Sequence, residues 1–117
     1  MNSPESETET GSTEPLLTEI EARILGALME KQLATPDAYP LTLNSLVLAC
    51  NQKTSREPIT NLESGEVQRC LSQMQDKKLI EVDYGSRANR YDQRLTRVLS
   101  LDKSAQAILN VMLLRGP

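Results

Sequence analysis

The sequence predicts an α+β domain that is mostly helical, and three observations carry that expectation. Apolar residues recur at helical spacing in four separate stretches. After Lys78 the period shortens to two, as in a strand with one wet face. The length, 117 residues, suits one compact domain or one domain and part of another.

The first expected helix covers residues 18–34. Thr18 and Glu21 stand three apart, as a capping box requires, and Ile20, Ile24, Leu25 and Leu28 then mark one face. Thr35-Pro36 and Tyr39-Pro40 end it, because proline drives the residue before it to extended backbone. A second helix is expected over 42–51. Leu41 and Leu46 are placed for a hydrophobic staple, and Leu43, Leu46, Val47 and Cys50 form its apolar stripe. A polar stretch containing Pro58 leads to a third helix over 64–78. Ser64 is its expected cap, Glu66 suits the positive end of the macrodipole, and Val67, Cys70, Leu71 and Met74 face inward. Ile80, Val82 and Tyr84 then alternate with Glu81 and Asp83; a turn over 85–89 and a return strand over 90–95 complete a hairpin. Asp102 caps a last helix over 103–115, closed by Gly116 and Pro117.

Three helices followed by a two-stranded ribbon is the element order of a winged helix-turn-helix, here with a further helix behind it. The expected organisation is a disordered acidic tail over 1–15, a winged-helix domain over 16–99, and a linking helix over 100–117. That helix leads toward a second domain or subunit. The tail holds Glu5, Glu7, Glu9 and Glu14 with no Lys or Arg, and too little apolar area to offset its ordering entropy. Those are four of the 16 acidic residues, so 12 acids face 13 bases in the remainder. The domain is therefore nearly neutral.

The segments LTEIEARILGALMEKQLATPDAYPLTLNSLVLACNQKTSREP (17–58) and GSRANRYDQRL (85–95) resemble the YceH-like family, bacterial proteins of uncharacterised function. The resemblance extends over 16–117. It implies winged-helix domains in tandem, and it implies no activity and no site residues. Two departures stand out. The chain stops at Arg115-Gly116-Pro117, where the family's second domain begins, and Cys70 occupies a place where a small apolar residue such as Ala is expected.

Composition excludes several classes of function. Without His there is no Ser-His or Cys-His nucleophile, and Cys50 and Cys70 alone cannot close a metal site. No G-x-G-x-x-G, P-loop or G-x-S-x-G occurs. The expectation is a protein that is not an enzyme and uses no cofactor or metal. No apolar run reaches the roughly 18 residues of a membrane span, and the first fifteen residues lack a secretory core. A cytoplasmic protein without membrane contact is expected. The cysteines lie on apolar stripes and read as small core residues rather than a redox pair.

Duplex DNA is the first expected partner. Between residues 87 and 97 four arginines (Arg87, Arg90, Arg94 and Arg97) face one acid, Asp92. Arginine in a wing gains affinity by counterion release, so Arg87, Arg90 and Arg94 are the leading contact candidates. Gln68, Arg69 and Gln73 on the third helix are of types that read base edges, and Lys53 and Arg56 could add phosphate contacts. Glu66 and Asp76 oppose that reading, and the connection before the third helix is long for a standard helix-turn-helix. The expected function is DNA binding in transcriptional regulation. The alternative is a protein-interaction module using the wing or the last helix.

That last helix is apolar nearly all round. Ala105, Ile108, Leu109, Met112 and Leu113 make one stripe, and Ala107, Val111 and Leu114 make another. One domain covers one stripe, so Ala107, Val111 and Leu114 are candidates for a homodimer interface.

Overall fold

The computed structural model describes residues 17–85 and 87–115. The acidic tail and the closing Gly116-Pro117 lie outside the described residues. The chain is α+β and mostly helical, with a small antiparallel sheet. Its elements are α1 (Glu19–Ala34), β1 (Leu41–Thr42), α2 (Leu43–Cys50), α3 (Ser64–Asp76), β2 (Ile80–Tyr84), β3 (Asn89–Gln93), α4 (Leu95–Val98) and α5 (Lys103–Arg115).

Local chemistry sets the helix starts. The Thr18 hydroxyl accepts from the Glu21 amide at 3.1 Å, and the Glu21 carboxylate accepts from the Thr18 amide at 2.9 Å, which completes the expected capping box. Thr42 caps α2 by accepting from Ser45 N. The cap of α3 is one residue earlier than expected. Glu63 takes that place, and its amide donates to the Glu66 carboxylate at 3.0 Å.

The sheet runs β1-β3-β2, with Leu41 opposite Tyr91 and Val82 opposite Tyr91 on the other side. Two features depart from the expected hairpin. Strand β1, only two residues long, adds a third strand, and Leu95 opens the short α4 instead of ending β3.

Helix α1 is the centre of the core: Ile24, Leu25, Ala27, Leu28 and Met29 are fully buried. Leu46 and Cys50 of α2, Val67, Leu71 and Met74 of α3, and Leu41, Ile80 and Tyr91 of the sheet pack around it. Each fully buried Leu, Ile or Met contributes about 1.5–3 kcal/mol relative to exposure. Both cysteines are buried and free, and burial pushes the Cys50 thiol up to about 12, which suits a core residue and not a nucleophile.

Helix α5 lies along the outside of α1. The Gln32 amide oxygen joins three elements, accepting from Gln106 of α5 at 2.8 Å and from Gln93 of β3 at 2.9 Å.

Candidate functional site

Strand alternation divides the hairpin side chains between two faces. The register pairs Tyr84 with Asn89, Val82 with Tyr91 and Ile80 with Gln93, and this set includes the buried residues of the core. Glu81 pairs with Asp92 and Asp83 with Arg90, so these residues and Arg94 belong to the opposite face. Three acids therefore share that face with two arginines.

Arg94 is committed to this network. It ion-pairs with Glu81 and, at 3.1 Å, with Asp92. The hydrogen bond from Arg94 and its charge hold the Glu81 carboxyl below its usual value. Arg90 is exposed and donates to the Pro40 carbonyl at 3.0 Å. Arg87 is exposed in the turn, and no ion pair holds it among the described residues.

The candidates on α3 separate. Gln68 faces the hairpin, its amide donating to Tyr91 Oη at 3.3 Å, and Gln75 does the same to Tyr84 Oη at 3.2 Å. Arg69 and Gln73 line a different groove, against Thr18, Glu19 and Ile20 at the start of α1. Lys53 is exposed on the connection between α2 and α3. Arg56, from the same connection, is a buried structural residue instead of a phosphate contact. Its guanidinium donates to both Glu30 oxygens at 2.7 and 3.1 Å and to Ala49 O at 3.0 Å.

Where the start of α2, α3 and the hairpin turn converge, they flank an open surface groove of about 450 Å³. Asn44, Gln68, Ala88 and Asn89 line it with Thr42, Leu43 and Tyr91, and no acid is among its lining residues. Sequence reasoning missed Asn44, because its proximity to the hairpin depends on β1 pairing with β3.

The interface candidates on α5 also separate. Leu114 is 2% exposed and packs on Gly26 of α1, so it belongs to the domain's own interior rather than an outward face. Ala107 is exposed, and Val111, Ile108 and Met112 are 48%, 65% and 47% exposed. The inward face of α5 is instead Gln106, Asn110 and Leu114. Neither expected stripe is covered whole.

Arg23 is the other residue that sequence reasoning passed over. It is a buried cation on α1, three residues after Ile20 and within the apolar stripe, and that placement was the available signal. Among the described residues no cluster of three or more Cys, Asp or Glu side chains could hold a metal ion, and no helix is long and apolar enough to cross a membrane.

The family model described as "Protein of unknown function, DUF480" matches residues 17–117. The chain belongs to this family. It is the YceH-like group that residues 17–58 and 85–95 resemble. A UPF0502 protein of Cellvibrio japonicus is 77% identical over 104 residues, covering 89% of this chain and 48% of that protein. A UPF0502 protein of Azotobacter vinelandii is 52% identical over 109 residues, covering 93% of this chain and 49% of that protein. The chain thus spans about half the length of the curated relatives it matches.

Proposed function

We propose that this domain is a winged helix-turn-helix that binds duplex DNA, acting in the cytoplasm in transcriptional control without catalysis of its own. The groove between the start of α2, α3 and the hairpin turn carries the reading. Its lining sets amide and hydroxyl groups beside Leu43, Ala88 and the Tyr91 ring without an acid, and Arg87 stands on the adjoining turn. Asn44, Gln68 and Asn89 are of types that donate to phosphates or to base edges. The contact set is narrower than the sequence suggested. Arg87 and Gln68 stay in it, Arg90 stands on the opposite face of the hairpin beside Asp83, Arg94 and Arg56 are engaged elsewhere, and Arg69 and Gln73 flank it on the α1 side.

The near-neutral charge fits modest affinity, dominated by a few phosphate contacts. Fluorescence anisotropy with a random duplex at two salt concentrations tests this. Binding at low salt that weakens as salt rises is the expected result, and a flat signal at low salt contradicts it.

A second reading rests on a different surface. Ile108, Val111 and Met112 form an outward apolar strip on α5 that fits a protein partner, a second copy of the chain included. Sedimentation at micromolar concentration tests self-association directly.

A further inference from the structure

The groove between the start of α2, α3 and the hairpin turn does not stop at Gln68. A second depression of about 180 Å³ continues it along α3, sharing Gln68, Asn89 and Tyr91 and adding Ser72, Gln75 and Tyr84. Among the described residues, neither lining contains Lys, Arg, Asp or Glu. The acids of α3, Glu66 and Asp76, lie outside this surface, and Arg87 stands on the turn next to it. Its polar groups are largely of one chemical kind. Asn44, Gln68, Gln75 and Asn89 place four side-chain amides on it, all exposed. Two are partly engaged, since Gln68 donates to Tyr91 Oη and Gln75 to Tyr84 Oη. The side chains of Asn44 and Asn89 form no hydrogen bond among the described residues, so both amides are open to a ligand.

A side-chain amide carries a donor and an acceptor side by side. In the major groove of duplex DNA, adenine presents the complementary pair, N7 accepting and N6–H donating, and Asn and Gln take that base bidentately. Guanine is taken by Arg or Lys and cytosine by Asp or Glu. None of these four residue types lines the surface among the described residues. Leu43 and Ala88 add apolar contact of the kind that suits the thymine C5-methyl group. With one arginine at its margin, the surface gains little from phosphates, so base edges decide where it sits.

We infer that this surface reads A·T base pairs from the major-groove side. The Asn44 and Asn89 amides accept from adenine N6–H and donate to adenine N7, and Ala88 lies against the methyl group of a thymine. Gln68 supports them from α3 with the amide oxygen that its bond to Tyr91 leaves free. This specificity rests on the proposed DNA binding.

The test titrates the full chain by anisotropy, at low salt, with three alternating duplexes of one length: A·T, G·C and inosine·cytosine. Inosine lacks the guanine 2-amino group, so its pair with cytosine resembles A·T in the minor groove and G·C in the major groove. The A·T duplex should bind at least about tenfold more tightly than either of the others. Asn44→Ala and Asn89→Ala, at exposed positions, should each reduce that ratio by about fivefold or more, with the helical circular dichroism unchanged. Asn44→Arg should move the preference toward G·C. Equal binding of A·T and G·C, or tighter binding of G·C, would overturn the inferred specificity and leave DNA binding standing. Inosine·cytosine bound as tightly as A·T would overturn it by placing the readout in the minor groove, and so would a ratio that neither alanine variant moves. No binding of any of the three duplexes would overturn the DNA-binding reading together with this inference.

Discussion

Gly26 of α1 and Leu114 of α5 approach so closely that a Cβ on Gly26 would stand 2.7 Å from both Cγ and Cδ2 of Leu114. Leu114 is fully enclosed, so it has little room to withdraw. Glycine at this point in a helix costs about 0.5–1 kcal/mol relative to alanine, yet alanine does not fit. Gly26→Ala is therefore expected to destabilise the domain by about 1–3 kcal/mol through overpacking. Leu114→Ala alone should cost about 2–5 kcal/mol. Combined, the two should be less than additive by about 1 kcal/mol, because the smaller side chain makes room for the new methyl. Urea denaturation of the four proteins checks this cycle.

The outward side of α5 should respond differently. Val111→Ser and Met112→Ser change half-exposed positions and are expected to shift stability by no more than about 0.5–1 kcal/mol. If the wild-type chain self-associates through this strip, the same changes should give a folded monomer by sedimentation velocity. Leu114→Ser should instead unfold or strongly destabilise the protein, which separates the interior residue from the surface ones.

Glu21 supplies a pH-dependent contribution. Its carboxylate is buried and accepts from Thr18 N at 2.9 Å and from Lys77 Nζ at 2.5 Å. Burial alone would raise its pKa, but Lys77 and the Thr18 amide outweigh that and hold it below the usual glutamate value. A carboxyl depressed in the folded state stabilises fully above its unfolded pKa of about 4.3, and that stability is lost as pH falls through the folded value. Glu21→Gln should thus cost about 1.5–3 kcal/mol at pH 7. The gap to wild type should narrow below about pH 4, in denaturant midpoints measured from pH 7 to pH 3.

Much of this fold was legible locally. The Thr18–Glu21 box, the Thr42 start and the change of period after Lys78 are all short-range signals, and the elements appear where those residues put them. What escaped is non-local. Two residues, Leu41 and Thr42, are too few to show a strand period, and only pairing with Tyr91 and Arg90 makes them β1. The cap at Glu63 escaped because Ser64 is the commoner capping type. The arginine cluster looked basic in sequence, but register places Arg90 and Arg94 with Glu81, Asp83 and Asp92. Arg23 finds its acceptors 27 to 37 residues away, so no spacing rule could reveal the neutral groups that hold it.

The hairpin arginines give the next expected outcome. Arg87→Ala should reduce the log–log salt slope of duplex binding by about 0.9, and Arg90→Ala, on the opposite face of the hairpin beside Asp83, should change it little. Arg94→Ala should leave the slope unchanged, because Glu81 and Asp92 already hold that side chain. It should lower stability by no more than about 1 kcal/mol, as an exposed ion pair does. Anisotropy titrations across a salt series compare the three variants.

The most direct test of the DNA-binding account is an amide chemical-shift map of the ¹⁵N-labelled protein titrated with random duplex at low salt. The account expects shifts concentrated at Asn44, Gln68, Arg87, Ala88 and Asn89, fading as salt is raised. Shifts confined to α5, or no shifts at duplex concentrations well above that of the protein, would contradict it.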